Sequence, residues 1–372
     1  MIKNQEIEIN KCKNLYFYLR DAIFIFVVIL FIFFIFKNPQ IAVNGVSKGL
    51  YICGNVIIPS LFPFIVLCNF ISLSPIVEVI SKILLPITQN IFNLPANVGH
   101  IIFISFIGGY PMGAKLISEA LKKEEIDVNV ANRLLCFCIN AGPAFVITAI
   151  GYIGYGSKKI GVYLLISHLL GSITIGIILG IIGKFNNSKI SKITKYKYLK
   201  YSEAFVRSVS DGGNAILNIS CFVIIFSVIT EIIKSKIRNN IFNNILLSFL
   251  ELTVSMNDVV SLNGMASFLM CSFLISFSGI SVIFQIFYFI KDYNVNKKNL
   301  FIFRIIHGFI SAFFMYLILI LFGNVIDTSS VVFKNNMQLF QLSPFISTTI
   351  FLFSLCFIVC SYNEFFERNQ YY

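Results

Sequence analysis

The chain alternates long apolar runs with short polar gaps, and several of the runs are long enough to cross a membrane. A polar stretch over residues 1–20 gives way to an apolar run from Ala22 to Phe36. Past Lys37-Asn38-Pro39, apolar segments recur near 49–71, 98–121, 134–154, 160–183, 215–233, 241–256, 262–290, 300–322 and 343–361. A helix needs about 20 apolar residues to span the hydrocarbon core. The first run, 160–183, 300–322 and 343–361 read as the plainest spans; several others are too short, or too broken by Gly and Pro. The ten-residue alternation of an outer-membrane barrel is absent. A lipid-exposed backbone must also satisfy its own hydrogen bonds. The pattern therefore predicts an all-α, polytopic transmembrane helical bundle. The polar lead is long for a signal peptide and no small-residue cleavage site follows, so the first helix is expected to be retained.

Composition agrees with that pattern. The chain is 57% hydrophobic and only 12% charged, against about 25% charged residues in soluble domains. Its net charge of +12 does not point to nucleic acid, because the basic residues sit in the gaps between apolar runs. Lys and Arg concentrated in cytoplasmic loops give the same total. Residues 184–200 carry Lys184, Lys189, Lys192, Lys195, Lys197 and Lys200 with no acid among them, which marks a cytoplasmic linker. The chain then divides into a cytoplasmic tail and first membrane helix (1–40), a first repeat (41–183), the linker (184–200), a second repeat (201–325), and a loop, last membrane helix and tail (326–372). The nine Cys lie mostly in apolar stretches with no CxxC pair and no Cys/His ligand spacing, so neither a disulfide framework nor a metal or cofactor is expected.

Two segments suggest internal duplication. Ser105-Phe106-Ile107-Gly108 is followed by Arg133 at 28 residues from Ser105, and Ser276-Phe277-Ser278-Gly279 by Arg304 at 28 residues from Ser276. On this register Arg133 and Arg304 are equivalent, and whether the repeats are inverted or parallel stays open. Interrupted hydrophobic segments at matching places point to a transporter's solute site.

The interruptions carry the candidate chemistry. Gly108, Gly109, Tyr110, Pro111 and Gly113 break an apolar stretch and free backbone groups, which membrane depth tolerates only inside protein or beside a wet cavity. A plain surface turn is the alternative. Lys115, Ser118 and Glu119 share the next helical face, so Lys115 either meets an anion or pairs with Glu119. Asp127 is placed to cap the helix that carries Arg133. Arg133 and Asn140 lie two turns apart, and Asn140-Ala141-Gly142-Pro143 ends that helix. In the second half Ser276, Ser278, Gly279 and Gln285 surround a break, while Arg304, His307 and Ser311 line one face. Ionisable groups within a span are functional candidates, with snorkelling to headgroups as the bland alternative. The two arginines are expected to face a cavity rather than packed core. His100 and His168 lack matching ligands. Ser278 with His307 invites comparison with intramembrane serine proteases, but Ser276 stands where such an enzyme needs Gly, and no enzyme is expected. Glu251 and Asp258 lie near an interface, and the sequence does not choose between function and capping for them.

These residues resemble a known family. Ser-Phe-Ile-Gly-Gly-Tyr-Pro-Met-Gly-Ala-Lys (105–115), Arg133 with Asn140-Ala141-Gly142-Pro143, Ser-Phe-Ser-Gly-Ile-Ser-Val (276–282) with Gln285, and Arg304 with His307 look like the YlbJ-type sporulation integral membrane proteins. Pro59-Ser60-Leu61-Phe62-Pro63-Phe64 and Glu251-Leu252-Thr253 fit the same family, over roughly residues 45–325. Ile283-Phe284 departs from it, where a more polar pair is expected. The resemblance implies a nucleoside-recognition, or gate-domain, architecture similar to concentrative nucleoside transporters. It implies a multi-pass protein of the outer forespore membrane that delivers dipicolinic acid, a small planar dianion. Partners are then the lipid bilayer and a small anionic solute, with a coupling ion; a homo-oligomer is compatible with the sequence. A non-transporting scaffold of spore assembly and a nucleoside-type transporter are the alternatives.

The linker gives a direct test of topology. Cysteines introduced over 184–200 are expected to react with a membrane-impermeant thiol reagent from the cytoplasmic face only. Labelling from the opposite face would reverse the orientation.

Overall fold

The computed structural model describes residues 2–183, 198–237, 241–262 and 264–322. The predicted last membrane helix at 343–361 and most of the basic linker lie outside the described residues. All regular elements among the described residues are helical.

After α1 (Ile2–Lys37), the first half opens with a 35-residue apolar rod, Pro39–Leu73. The rod comprises α2 (Pro39–Ile52), a π-helical turn (Cys53–Ile57) and α3 (Ile58–Leu73). Sequence reading placed a shorter segment here, at 49–71. The π turn lies immediately before α3, in whose first turn Pro59 sits, and Pro63 follows inside that helix. A wider turn accommodates missing N–H donors without ending the rod. An excursion follows through α4 (Ile76–Ile83), a π turn (Ile87–Ile91) and a 3₁₀ turn (Ala96–Val98). Then come α5 (Gly99–Ile107), α6 (Tyr110–Lys122), α7 (Val128–Phe137), a π-helical stretch (Phe145–Gly154) and α8 (Lys158–Ile182). Asp127 caps α7 as expected, accepting from Val130 N–H at 2.8 Å.

The second half repeats this order without the excursion. A 34-residue rod, α9 (Tyr201–Lys234), leads to α10 (Ile241–Ser248) and α11 (Leu252–Val260). The broken pair α12 (Met265–Phe277) and α13 (Gly279–Phe289) and the long α14 (Lys297–Phe322) complete it. Element by element, α5–α6 corresponds to α10–α11, α7 with its π stretch to α12–α13, and α8 to α14. The register is 139 residues between the last helices: His168 matches His307 and Ser172 matches Ser311. This corrects the 28-residue spacing argument. Arg133 lies on α7 and Arg304 on α14, which are different members of the repeat. Two Phe- and Ile-rich stretches matched by composition where the folded order does not.

The halves are inverted. Along the two rods, Cys53 Sγ contacts Ser220 O at 3.8 Å, Asn69 Nδ2 reaches Ser208 O at 3.5 Å, and Phe70 stands 6.3 Å from Phe205. Residue numbers rise in one rod as they fall in the other, so the pair is antiparallel. The last helices behave alike, with His168 against His307 at 4.7 Å and Tyr163 against Phe322 at 6.3 Å. An operation that exchanges antiparallel partners is a two-fold perpendicular to them. If the rods span the bilayer, that axis lies in its plane.

Helices α8 and α14 turn polar side chains inward and apolar ones outward. On α14, Arg304, His307 and Ser311 are buried while Ile302, Phe309, Phe313 and Ile320 are exposed. On α8, Ser167, His168 and Ser172 are buried while Ile166, Leu170, Ile178 and Ile181 face out. A water-soluble protein would place these the other way round. Among the described residues, five stretches are long and apolar enough to cross a membrane: 39–73, 158–182, 201–234, 265–289 and 297–322.

Close helix packing relies on absent side chains. A Cβ on Gly49 would stand 2.8 Å from Ile224 Cα, and one on Gly113 would stand 1.8 Å from the Cys138 carbonyl oxygen. Gly113→Ala is therefore expected to force α6 off the 138–143 turn, at about 1–3 kcal/mol of overpacking. Gly213 has nothing within 4 Å of such an atom, so Gly213→Ala serves as the control. Thermal unfolding in detergent should show a lowered midpoint for Gly113→Ala alone.

Candidate functional site

Four interruptions define the centre. Gly108-Gly109 separates α5 from α6, residues 138–143 separate α7 from its π stretch, 249–251 separate α10 from α11, and Ser278 separates α12 from α13. Gly109 has φ +85° and Ser278 φ +77°, left-handed values at which a helix cannot continue. Inside the segments 108–113 and 276–285 singled out in the sequence, the helices stop at Gly108-Gly109 and at Ser278. Under the repeat, however, 108–109 pairs with 249–251 and 278 pairs with 138–143.

Within each half the two breaks touch. A Cβ on Gly142 would lie 3.4 Å from Gly109 Cα. In the second half Ile280 N–H donates to Phe249 O at 2.8 Å, and Ser281 N–H to Leu250 O at 3.0 Å. Across the halves, Tyr110 Oη donates to Ile275 O at 2.6 Å, so the first break meets the end of α12.

The ends of α7 and α12 point their last carbonyls into this buried centre, where they need donors from the protein. Arg304 serves several. Its Nη1 donates to Ile139 O and, at 3.4 Å, to Ser276 O; its Nη2 donates to Cys136 O at 3.2 Å. Ser172 and Asn140 both donate to Phe137 O, at 2.6 and 2.9 Å. Arg304 is 0% exposed, and among the described residues no carboxylate pairs with it and its Nε has no partner. The charge is met by carbonyl dipoles at the negative ends of two helices. The side chain is thus part of the packed interior, contrary to the expectation of an open cavity.

Arg133 lies elsewhere and is only partly buried. Its Nη1 donates to Asn93 O at 2.9 Å, and its Nη2 to Phe92 O at 2.7 Å and Leu179 O at 3.2 Å. It clasps the end of α8 to the turn after Ile91. The two arginines therefore use the same chemistry, binding carbonyls at helix ends, at two separate places. Lys115 is also engaged, with Asn69 Oδ1 at 2.7 Å and Glu119 at 3.7 Å. Ser118 donates to Phe289 O at 2.8 Å, closing the end of α13. Pro111 sits in the first turn of α6, and Gln285 is buried on α13.

Beside Arg304 runs a relay of neutral groups. Ala141 N–H donates to His168 Nε2 at 3.0 Å, which fixes the proton of that ring on Nδ1. Nδ1–H donates to Ser276 Oγ at 2.7 Å, and Ser276 donates to Ser311 Oγ at 2.7 Å. His307 Nε2–H donates to the His168 carbonyl at 2.9 Å, leaving Nδ1 without a partner. Ser278 Oγ has no partner and makes no bond to His307. Further buried polar atoms without partners are Asn140 Oδ1, Ser281 Oγ and Glu251 Oε2. They belong to three of the four interruptions, or to the helical turn just after one.

His168 was set aside in the sequence and Ser311 was left as a neighbour of His307. The signal that finds them is the shared pattern His168-Leu-Leu-Gly-Ser172 and His307-Gly-Phe-Ile-Ser311. Each His is the eleventh residue of its helix, near mid-span.

This chain is similar to the sporulation integral membrane protein YlbJ of Bacillus subtilis (strain 168), at 22% identity over 323 residues. The match covers 76% of this chain and 79% of that protein. The family resemblance read from the motifs is thereby borne out. No family model matches the chain, and no solved structure matches it.

The carbonyl clasps predict an order of stabilities. Arg304→Gln cannot reach carbonyls from both helices, and each buried group left unpaired costs about 1–3 kcal/mol. Arg133→Gln should cost less, because its partly exposed site admits water or headgroups. Thermal unfolding of the two variants in detergent is expected to place Arg304→Gln clearly lower.

Proposed function

We propose that this chain is a permease of the sporulating cell that moves a small carboxylate anion, dipicolinic acid by family resemblance, across the outer forespore membrane, and that it is not an enzyme. The observation that carries the reading is Arg304, a guanidinium at the junction of two broken helices with no acid among the described residues paired to it. Carbonyl dipoles stabilise that charge without cancelling it. In a low-dielectric interior the residual field favours an anion far more than it would in water. The unpartnered hydroxyls of Ser278 and Ser281, which can donate to a carboxylate, lie at an interruption of the kind where a permease of inverted repeats holds its solute. In this reading Gly108, Gly109, Gly113 and Gly279 let the backbone approach that solute, and Tyr110 and Ser276 border it.

One observation favours a second reading. Every Nη donor contact of Arg133 and Arg304 goes to the main chain, as a purely structural clasp would have it. A non-transporting scaffold of spore assembly would then be built on the same bundle.

Uptake of labelled dipicolinate into proteoliposomes separates the two. The wild-type chain is expected to show saturable uptake. Arg304→Lys keeps the charge and loses the planar fork; at matched abundance it should lower uptake by roughly 30-fold, in the range for a buried charged contact. Full uptake by Arg304→Lys and Arg304→Gln would overturn the anion reading. No uptake by folded wild type would favour the scaffold.

A further inference from the structure

The turn between α10 and α11 places a carboxyl group inside the bundle. Glu251 is 2% exposed. Its Oε1 accepts from Thr253 N–H at 3.0 Å and from the Thr253 hydroxyl, capping α11. Its Oε2 has no partner. The turn is pinned to the start of α13 through Phe249 O and Leu250 O. Ser278 and Ser281, flanking that start, are fully buried with unpartnered hydroxyls. Three unpartnered oxygens therefore belong to one junction of two interruptions.

No described cation neutralises this carboxyl. Ion pairs of the described residues include Lys48 with Glu231, Lys115 with Glu119, Arg207 with Asp211 and Lys234 with Asp258, and none includes Glu251. Among the described residues, Tyr110 of α6 and Cys53 of the π turn feel the charge of Glu251, and Tyr110 also feels that of Arg304. A buried carboxylate without a counter-ion costs several kcal/mol. The closed junction is stable when a cation occupies Oε2, and a proton is the cation that needs no further ligands.

We propose that Glu251 binds the coupling proton of this permease, an inference that rests on the permease reading above. Water on one side supplies a proton to Oε2, and the O–H bond formed there removes the buried charge as the junction closes. When the contacts of the 249–251 turn with α13 open toward the other side, the carboxyl hydrates and the same proton returns to water. Ser278 and Ser281 supply hydroxyls that can accept from the acid or donate to the carboxylate. A proton accompanying an anion also reduces by one the negative charge that crosses the low-dielectric centre.

The test uses the full chain in proteoliposomes with the membrane potential clamped at zero and dipicolinate as solute. Wild type should accumulate solute by up to about tenfold for a one-unit pH difference, if one proton moves per solute. A pH dye should report protons leaving the external medium with it. Glu251→Gln is expected to exchange labelled for unlabelled solute but to lose both accumulation and proton movement. Accumulation by Glu251→Gln equal to wild type would overturn the proposal. So would wild-type uptake without proton movement, or uptake driven by a sodium gradient instead, and neither result depends on whether the variant folds. Loss of solute exchange in folded wild type is a different result, and would remove the permease reading itself.

Discussion

The constraint on which this bundle depends is that carbonyls freed by helix breaks in its buried centre must find donors. α7 and α12 both stop in the middle of the protein, and their terminal carbonyls converge. Arg304 reaches Cys136, Ile139 and Ser276, Tyr110 takes Ile275, and Ser172 with Asn140 takes Phe137. These donors come from α14, α6, α8 and the 138–143 turn. Closing the two helix ends therefore ties together four other parts of the chain. An arginine suits the task because its fork offers several donors in one plane and keeps its charge when buried.

Inversion follows from the same contacts. The antiparallel rods and the antiparallel last helices leave one operation that maps each half on the other. The equivalences are physical as well as formal. Ser172 reaches Phe137 O in one half, and Ser311 meets Ser276 Oγ at the matching position in the other. Gly109 backs on Gly142 where Leu250 accepts from Ser281. Chemistry diverges on this shared frame. Tyr110 opens the helix after the first hairpin tip, and Glu251 stands at the second.

Much of this was legible in the sequence, because Gly and Pro punctuate an otherwise apolar chain. Gly108-Gly109, Asn140 to Pro143 and Ser278-Gly279 were visible as breaks, Asp127 as a cap, and Arg304, His307 and Ser311 as one polar face. The 249–251 interruption was not, since Phe249-Leu250-Glu251 contains no helix breaker. It exists because Ile280 and Ser281 donate to its carbonyls, a tertiary contact that local propensity cannot report. The repeat register was misread for a related reason. Ile, Phe and Ser are so common here that a shared Ser-to-Arg spacing carried less information than two buried His-x-x-x-Ser patterns on the last helices. The arginines' partners were hidden because backbone carbonyls have no sequence signature.

The position equivalent to Arg304 in the first half, 139 residues earlier on α8, is Leu165. A two-fold assembly with chemically identical halves has two conformations, related by swapping the roles of its halves, that are degenerate in free energy. A single guanidinium breaks that degeneracy. The arrangement in which α14 clasps α7 and α12 has no partner in which α8 does the same to the opposite set of carbonyls. In any motion that exchanges the halves, Arg304 therefore joins the excursion through residues 76–98 and Glu251 in making the two end states unequal in free energy.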